Sequence, residues 1–242
     1  MKIHSGTILE VEIWKKSSGQ AAAKLVKAGM VVGLGSGTTV AYVVRTLARS
    51  KSKAIFIPSS SATQKLASEL DLKLGSLEEH PKLDLMIDGA DEVDPDFNMI
   101  KGGGGAQTRE KIVAGAARKV AIVVDRTKLV GQLGERTPVP VEVLPFVHKF
   151  TMRMLAELKG EPALRIITTG TPFVTDNGNY IVDVKFASIP RPAELEGAIN
   201  QVPGVVENGL FVDVADEVFV GHESGCVRLK SKRDFLNFIH KG

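Results

Sequence analysis

The feature that most constrains this chain is an alternation through its first half. Apolar runs of strand length, 30–34, 54–57, 83–87 and 120–124, are each followed by residues suited to a helix. Val40, Val43, Val44 and Leu47 share one helical face, and further helices are predicted over 62–70 and 106–117. Alternation of this kind closes into a parallel sheet covered on both faces, because each parallel crossover needs a helix to carry the chain back. An opening helix is predicted over 9–28 from the spacing of Val11, Trp14, Ala22, Leu25 and Val26, with Gly29 as its stop.

After Lys128 the pattern changes. Gly131, Gly134, Pro138, Pro140 and Pro145 cluster there and predict a domain boundary. Beyond it come a helix over 150–158, strands over 163–167 and 180–184 joined through Asp176-Asn177-Gly178-Asn179, and a helix over 193–200. Strands over 205–211, 217–220 and 227–229 are expected to return to the first unit. The expectation is therefore an α/β chain: a Rossmann-like, mostly parallel sheet domain (1–130 and 206–242) with a second, smaller α+β lobe (131–205). No repeats or low-complexity segments interrupt it.

Composition narrows the function. Lysine and arginine total 31 against 28 acidic residues, and a net charge of +3 is too small and dispersed to imply nucleic acid as the main partner. The single cysteine, Cys226, rules out an intramolecular disulfide framework and fits a reducing compartment, with the cytoplasm as the default. No run reaches the roughly 18 apolar residues needed to cross a bilayer. Glu10 and Glu12 precede any apolar run, so the N-terminus does not read as a targeting peptide.

In a parallel α/β sheet, ligands bind beyond the C-terminal ends of the strands, and four such places carry chemistry. In Gly35-Ser36-Gly37-Thr38-Thr39, glycines let the backbone approach a ligand at a helix N-terminus that favours anions. Taken alone, this loop reads equally as a turn capped by Ser and Thr. It lacks the third glycine of a dinucleotide loop and the Gly-Lys-Ser/Thr of a triphosphate loop, so a small monophosphate fits better.

Asp88-Gly89-Ala90-Asp91-Glu92 packs three acids into five residues at a strand end, where repulsion and burial raise a carboxyl pKa toward neutrality. A solvated acidic turn is the plainer account of this segment. A divalent metal is a third, but no histidine lies nearby. In Lys101-Gly102-Gly103-Gly104-Gly105-Ala106, four consecutive glycines exceed what a turn needs; their N–H groups can cup an oxyanion beside the lysine's charge. Glu110 follows in the first turns of the next helix, where dipole reasons alone also account for a glutamate. Lys128 places a further cation past the run 120–124, although read alone it is a solvated surface lysine.

Taken together, Gly-Leu-Gly-Ser-Gly-Thr-Thr, Asp-Gly-Ala-Asp-Glu, Lys-Gly-Gly-Gly-Gly-Ala with Thr108-Arg109-Glu110-Lys111, and Val-Asp-Arg-Thr-Lys resemble, in order and spacing, the ribose-5-phosphate isomerases of the A type. The resemblance extends through Pro138-Val139-Pro140-Val141-Glu142-Val143 and Thr175-Asp176-Asn177-Gly178-Asn179, so it covers nearly the whole chain. Residues 1–7 and the basic tail from Lys230 match nothing in it. It implies interconversion of ribose 5-phosphate and ribulose 5-phosphate through an enediolate, with no metal or organic cofactor, and a homodimer or homotetramer.

Carried over residue by residue, the resemblance makes Glu110 the base that moves the carbon proton. Asp88, Gly89, Ala90, Asp91, Lys101, Gly102, Gly103 and Gly104 become the sugar-contacting loops. Asp88 and Asp91 then handle ring opening and hydroxyl protons, while Lys101 and the glycine amides hold the enediolate. Ser36, Gly37, Thr38 and Thr39, with Lys128 and by a weaker match Lys15, hold the phosphate; Thr38 stands where serine is frequent. Three other classes fit the sequence less well. A sugar-phosphate sensor would need a DNA-binding module that no segment supplies, an acyl or CoA transferase has no use for the acid pair, and a nicotinamide enzyme needs the missing glycine.

Overall fold

The computed structural model describes residues 6–241. Helix α1 (Ile8–Ala23) opens on a capping box in which Thr7 and Glu10 satisfy each other's backbone. It stops five residues short of the predicted 28. Leu25 and Val26 bond back three residues, to Ala22 and Ala23, so their helical spacing is met by tight turns that still pack on the core.

The chain continues through β1 (Val31–Leu34), α2 (Thr38–Arg49), β2 (Ile55–Pro58), α3 (Ser61–Glu69) and β3 (Leu85–Asp88). Two short strands, β4 (Glu92–Val93) and β5 (Met99–Ile100), precede α4 (Gln107–Ala116) and β6 (Val120–Asp125). The distal half adds β7 (Val139–Val143), α5 (His148–Glu157), β8 (Glu161–Leu164), β9 (Tyr180–Lys185), α6 (Pro192–Asn200), β10 (Val205–Asn208) and β11 (Leu210–Phe211). The chain closes with β12 (Glu217–His222), β13 (Gly225–Leu229) and α7 (Lys232–Lys241).

The main sheet has the order β13-β12-β6-β3-β1-β2, parallel except for the β13 edge. Its strands are apolar on both faces because both are covered. On β6, Ala121 and Val123 join Val40, Val43, Val44 and Leu47 of α2 on one side. Val120, Ile122 and Val124 join Val113 of α4 and Phe235 of α7 on the other. That period of two within an unbroken apolar run explains why the sequence shows no alternation there.

A four-stranded antiparallel sheet, β10-β7-β9-β8, and a three-stranded one, β11-β5-β4, complete the α/β fold. The single strand expected over 205–211 divides at Gly209: β10 pairs with β7 in the four-stranded sheet, and only β11 turns away to pair with β5. The boundary expected between 205 and 206 therefore cuts a strand of the smaller sheet. The expected ranges also run into 1–5 and 242, which lie outside the described residues. The strand expected over 163–167 begins two residues earlier and leaves β9 after a last bond from the Arg165 N–H to the Ile181 carbonyl at 2.8 Å, and the chain then folds back so that Ile166 bridges Pro172. Among the described residues no helix is long and apolar enough to cross a membrane.

Candidate active site

The loops that leave the C-terminal ends of β1, β3, β5 and β6 meet at one rim and line a cleft of about 390 Å³. Lys15, Ser36, Gly37, Thr38, Thr39, Gly89, Ala90, Asp91, Lys101, Gly102, Gly103, Gly104, Glu110 and Lys128 all face it. Asp88 does not line the cleft. It lies behind the first loop, and this dictates a glycine: a Cβ on Gly35 would stand 1.7 Å from Asp88 Oδ1. That oxygen accepts from the N–H of Ser36 at 3.2 Å and of Gly89 at 2.7 Å.

At the floor of the cleft, three buried charged groups meet. Lys101 Nζ lies 2.9 Å from Asp88 Oδ2, 2.9 Å from Glu110 Oε2, and donates to the Gly89 carbonyl at 2.6 Å. Ser36 Oγ donates to the other Glu110 oxygen at 2.5 Å. Two carboxyl groups thus share one ammonium, leaving the cluster one negative charge in excess if both ionise. Burial, reinforced by repulsion from Glu110, pushes Asp88 up to about 7 against the pull of Lys101. Burial works against the Lys101 ammonium, yet the facing carboxylates of Asp88 and Glu110 raise its pKa. The cluster therefore holds a proton that can be gained or lost near neutrality, as a group must that exchanges protons with a substrate.

Above the cluster runs the glycine loop. Gly103 donates its N–H to Asp91 Oδ2 at 2.7 Å, and Asp91 in turn is fixed by its own N–H to the Ile100 carbonyl at 2.8 Å. Arg165 Nη1, from the far side, donates to the carbonyls of Gly102 and Gly103, each at 3.0 Å.

The helix that carries Glu110 is anchored by a second buried carboxyl. Glu142, on β7, accepts from Thr108 Oγ1, from Thr175 Oγ1 at 2.9 Å, and from the amides of Asn177 at 3.1 Å and Asn179 at 2.8 Å. Among the described residues, no group of three or more His, Cys, Asp or Glu side chains is arranged to hold a metal ion.

Residues 55–225 match the model of the ribose 5-phosphate isomerase A (phosphoriboisomerase A) family. The chain is 51% identical over 217 residues to ribose-5-phosphate isomerase A of Thermosynechococcus vestitus, covering 87% of this chain and 92% of that one. The chain belongs to the ribose 5-phosphate isomerase A family. Among solved structures, it superposes on ribose 5-phosphate isomerase A of Methanocaldococcus jannaschii with a TM-score of 0.86 at 42% identity, covering 90% of this chain and 98% of that one. A D-ribose-5-phosphate isomerase in complex with phospho-erythronic acid gives a TM-score of 0.88 at 40% identity, covering 91% and 99%.

Within this isomerase fold, the cleft has walls that the sequence reading did not supply. Ser60 and Ala62 at the start of α3, and Phe173, Val174 and Asp176 from the segment before β9, also line it. The start of α2 at Gly37, of α3 at Ser60 and of α4 at Ala106 all face the same space, so three positive dipole ends converge on it. Asp176 reaches across to accept from Ser61 N–H at 2.7 Å, and Arg109 donates to the Asp176 carbonyl at 2.8 Å and to Asn177 Oδ1 at 2.7 Å. The Asn-Gly turn was legible; that its neighbours cross to another element was not. Lys15 faces the cleft while paired with Glu12 at 2.8 Å.

Proposed function

We propose that this isomerase interconverts ribose 5-phosphate and ribulose 5-phosphate through an enediolate, with Glu110 as the base. The observation that carries the reading is the Asp88–Lys101–Glu110 cluster, buried at the floor of a cleft toward which three helix N-termini point. The converging dipoles, the hydroxyls of Thr38 and Thr39, and Lys128 and Lys15 suit a phosphate dianion, while the Ser36 hydroxyl donates its hydrogen bond to Glu110. With the phosphate there, remote binding energy orients the sugar toward the opposite wall.

Starting from the aldose, Glu110 takes the proton from C2 and leaves the charge of an enediolate on O1, which then gains a proton. The O2 proton then leaves and Glu110 returns its proton to C1, so that no atom is gained or lost. Ser36 fixes the orientation of the Glu110 carboxyl, and Lys101 balances the charge that develops beside it. Asp91, at the cleft surface, handles ring opening and the oxygen-borne protons, and Asp88, behind it, acts through Lys101, whose ammonium it shares with Glu110.

The test is conversion of ribose 5-phosphate to the ketose by purified protein with a chelator present. Turnover that persists supports the reading. Glu110→Gln is expected to lower kcat by about 10³-fold or more while substrate still binds; near-normal turnover in that variant removes Glu110 from the role.

A further inference from the structure

The trans geometry of a peptide unit ties each carbonyl to the N–H that follows it, and the two point in opposite directions. Whatever holds a loop's carbonyls on one side therefore presents its amides on the other. In the glycine loop both carbonyls, of Gly102 and Gly103, are held by the same atom, Arg165 Nη1, and no peptide bond among the described residues is cis.

The first of these units is pinned at both ends: Arg165 takes its carbonyl, and Asp91, a cleft residue, takes the N–H of Gly103. That bond marks the cleft side. The second unit, Gly103 to Gly104, has its carbonyl on Arg165 as well, so the Gly104 N–H faces the cleft, where no described residue accepts it. Gly104 is exposed, and a Cβ there would meet nothing within 4 Å, so packing does not hold it. Gly102 sits at φ +102°, a conformation that side chains rarely adopt, and its carbonyl also accepts from the Gly105 N–H at 2.9 Å, so the first unit is braced within the loop, whereas no described residue but Arg165 takes the Gly103 carbonyl.

Arg165, by contrast, is doubly fixed. Its Nε donates to Asp183 Oδ2 at 2.8 Å, and its Nη2 pairs with the other Asp183 oxygen. Its guanidinium lies 5.6 Å from the centroid of Phe173, whose ring in turn sits where a Cβ on Gly105 would be. A planar fork gripped by a bidentate carboxylate has few other orientations available.

We infer that Arg165 is a positioning residue for the isomerisation: by holding the carbonyls of Gly102 and Gly103, it aims the Gly104 N–H at the oxygen that gains charge in the enediolate. This rests on the reading above and adds to it a residue from outside the cleft. Amides aimed before the reaction act on the transition state more than on bound substrate, so the signature is specific. Arg165→Met, which removes the donors and keeps an unbranched side chain, is expected to lower kcat about 10- to 100-fold with KM within about threefold. Arg165→Lys recovers part of that loss, and Asp183→Asn gives a smaller one.

The experiment measures kcat, KM and melting temperature for these variants, with affinities for two probes: a phosphorylated hydroxamate that mimics the enediolate, and inorganic phosphate. Hydroxamate affinity falling in step with kcat/KM, with phosphate affinity unchanged, supports the inference. A rise in KM at unchanged kcat, or equal losses for both probes, overturns it. If Arg165→Met does not fold, Arg165→Lys and Asp183→Asn carry the same comparison. An active Glu110→Gln removes the mechanism underneath, whereas an inactive Glu110→Gln beside a fully active Arg165→Met removes the role of Arg165 alone.

Discussion

Two buried carboxyl centres stand on either side of α4, and they are satisfied in opposite ways. Glu142 is surrounded by neutral donors, two hydroxyls and two amides, drawn from α4 and from the 175–179 turn. Asp88 and Glu110 instead compete for one ammonium. A carboxyl met by several fixed dipoles serves as a joint, because moving any partner strands a polar group in the interior. Carboxyls that share one cation leave a proton in play. The first centre holds the helix in place; the second, reached through Glu110 on the same turn, is where the proposed reaction puts its proton transfer.

Substituting members of each centre breaks the comparison if the two respond alike. The largest effect is expected at Glu110→Gln, where turnover falls about 10³-fold, equivalent to roughly 4 kcal/mol of barrier, with little change in melting temperature. Next is the pH response of Asp88. Its pKa rises from 3.8 to about 7 on folding, so between those values the folded chain keeps a proton that the unfolded chain has shed. Stability from this group is full below about pH 4, falls as pH climbs to about 7 and levels off above. Asp88→Asn removes that slope: denaturant titrations from pH 4 to 8 should show the wild type losing up to about 4 kcal/mol relative to the variant.

Glu142→Ala is expected to cost about 3 kcal/mol at all these pH values, read from the same titrations, because it strands several donors. Loss of turnover would follow from displacement of α4. The smallest effect sharpens the contrast: Asn179→Ala removes one donor of four and should cost about 1 kcal/mol, with kcat changed no more than a few-fold. A cost of Glu142→Ala that itself changed with pH as steeply as the effect of Asp88→Asn would erase the distinction between joint and proton store.

These centres were not equally legible in the sequence. Asp88, Lys101 and Glu110 stand in motifs at the ends of apolar runs, where local pattern and fold rule together mark them. Glu142 sits in a stretch whose Pro138, Pro140 and Pro145 read as a boundary, yet β7 lies inside the four-stranded sheet, between β10 and β9. Proline content masked the strand, and the partners of Glu142 lie more than thirty residues away on both sides, a separation that periodicity does not bridge. Arg165 had no local signal either, since its meaning lies in two carbonyls more than sixty positions earlier. Helix α7 lay in the tail that matched no motif, although Phe235 fills the core beneath the sheet.

The division of one strand at Gly209 reaches further than topology. Gly209 leaves the smaller sheet and, in passing, gives its carbonyl to the N–H of Lys101 at 2.9 Å. The main chain beneath the ammonium is thus moored to the very peptide at which the lobe's outermost strand departs. A tilt of that sheet would therefore pull on the backbone of Lys101 directly, with no side chain needed as messenger.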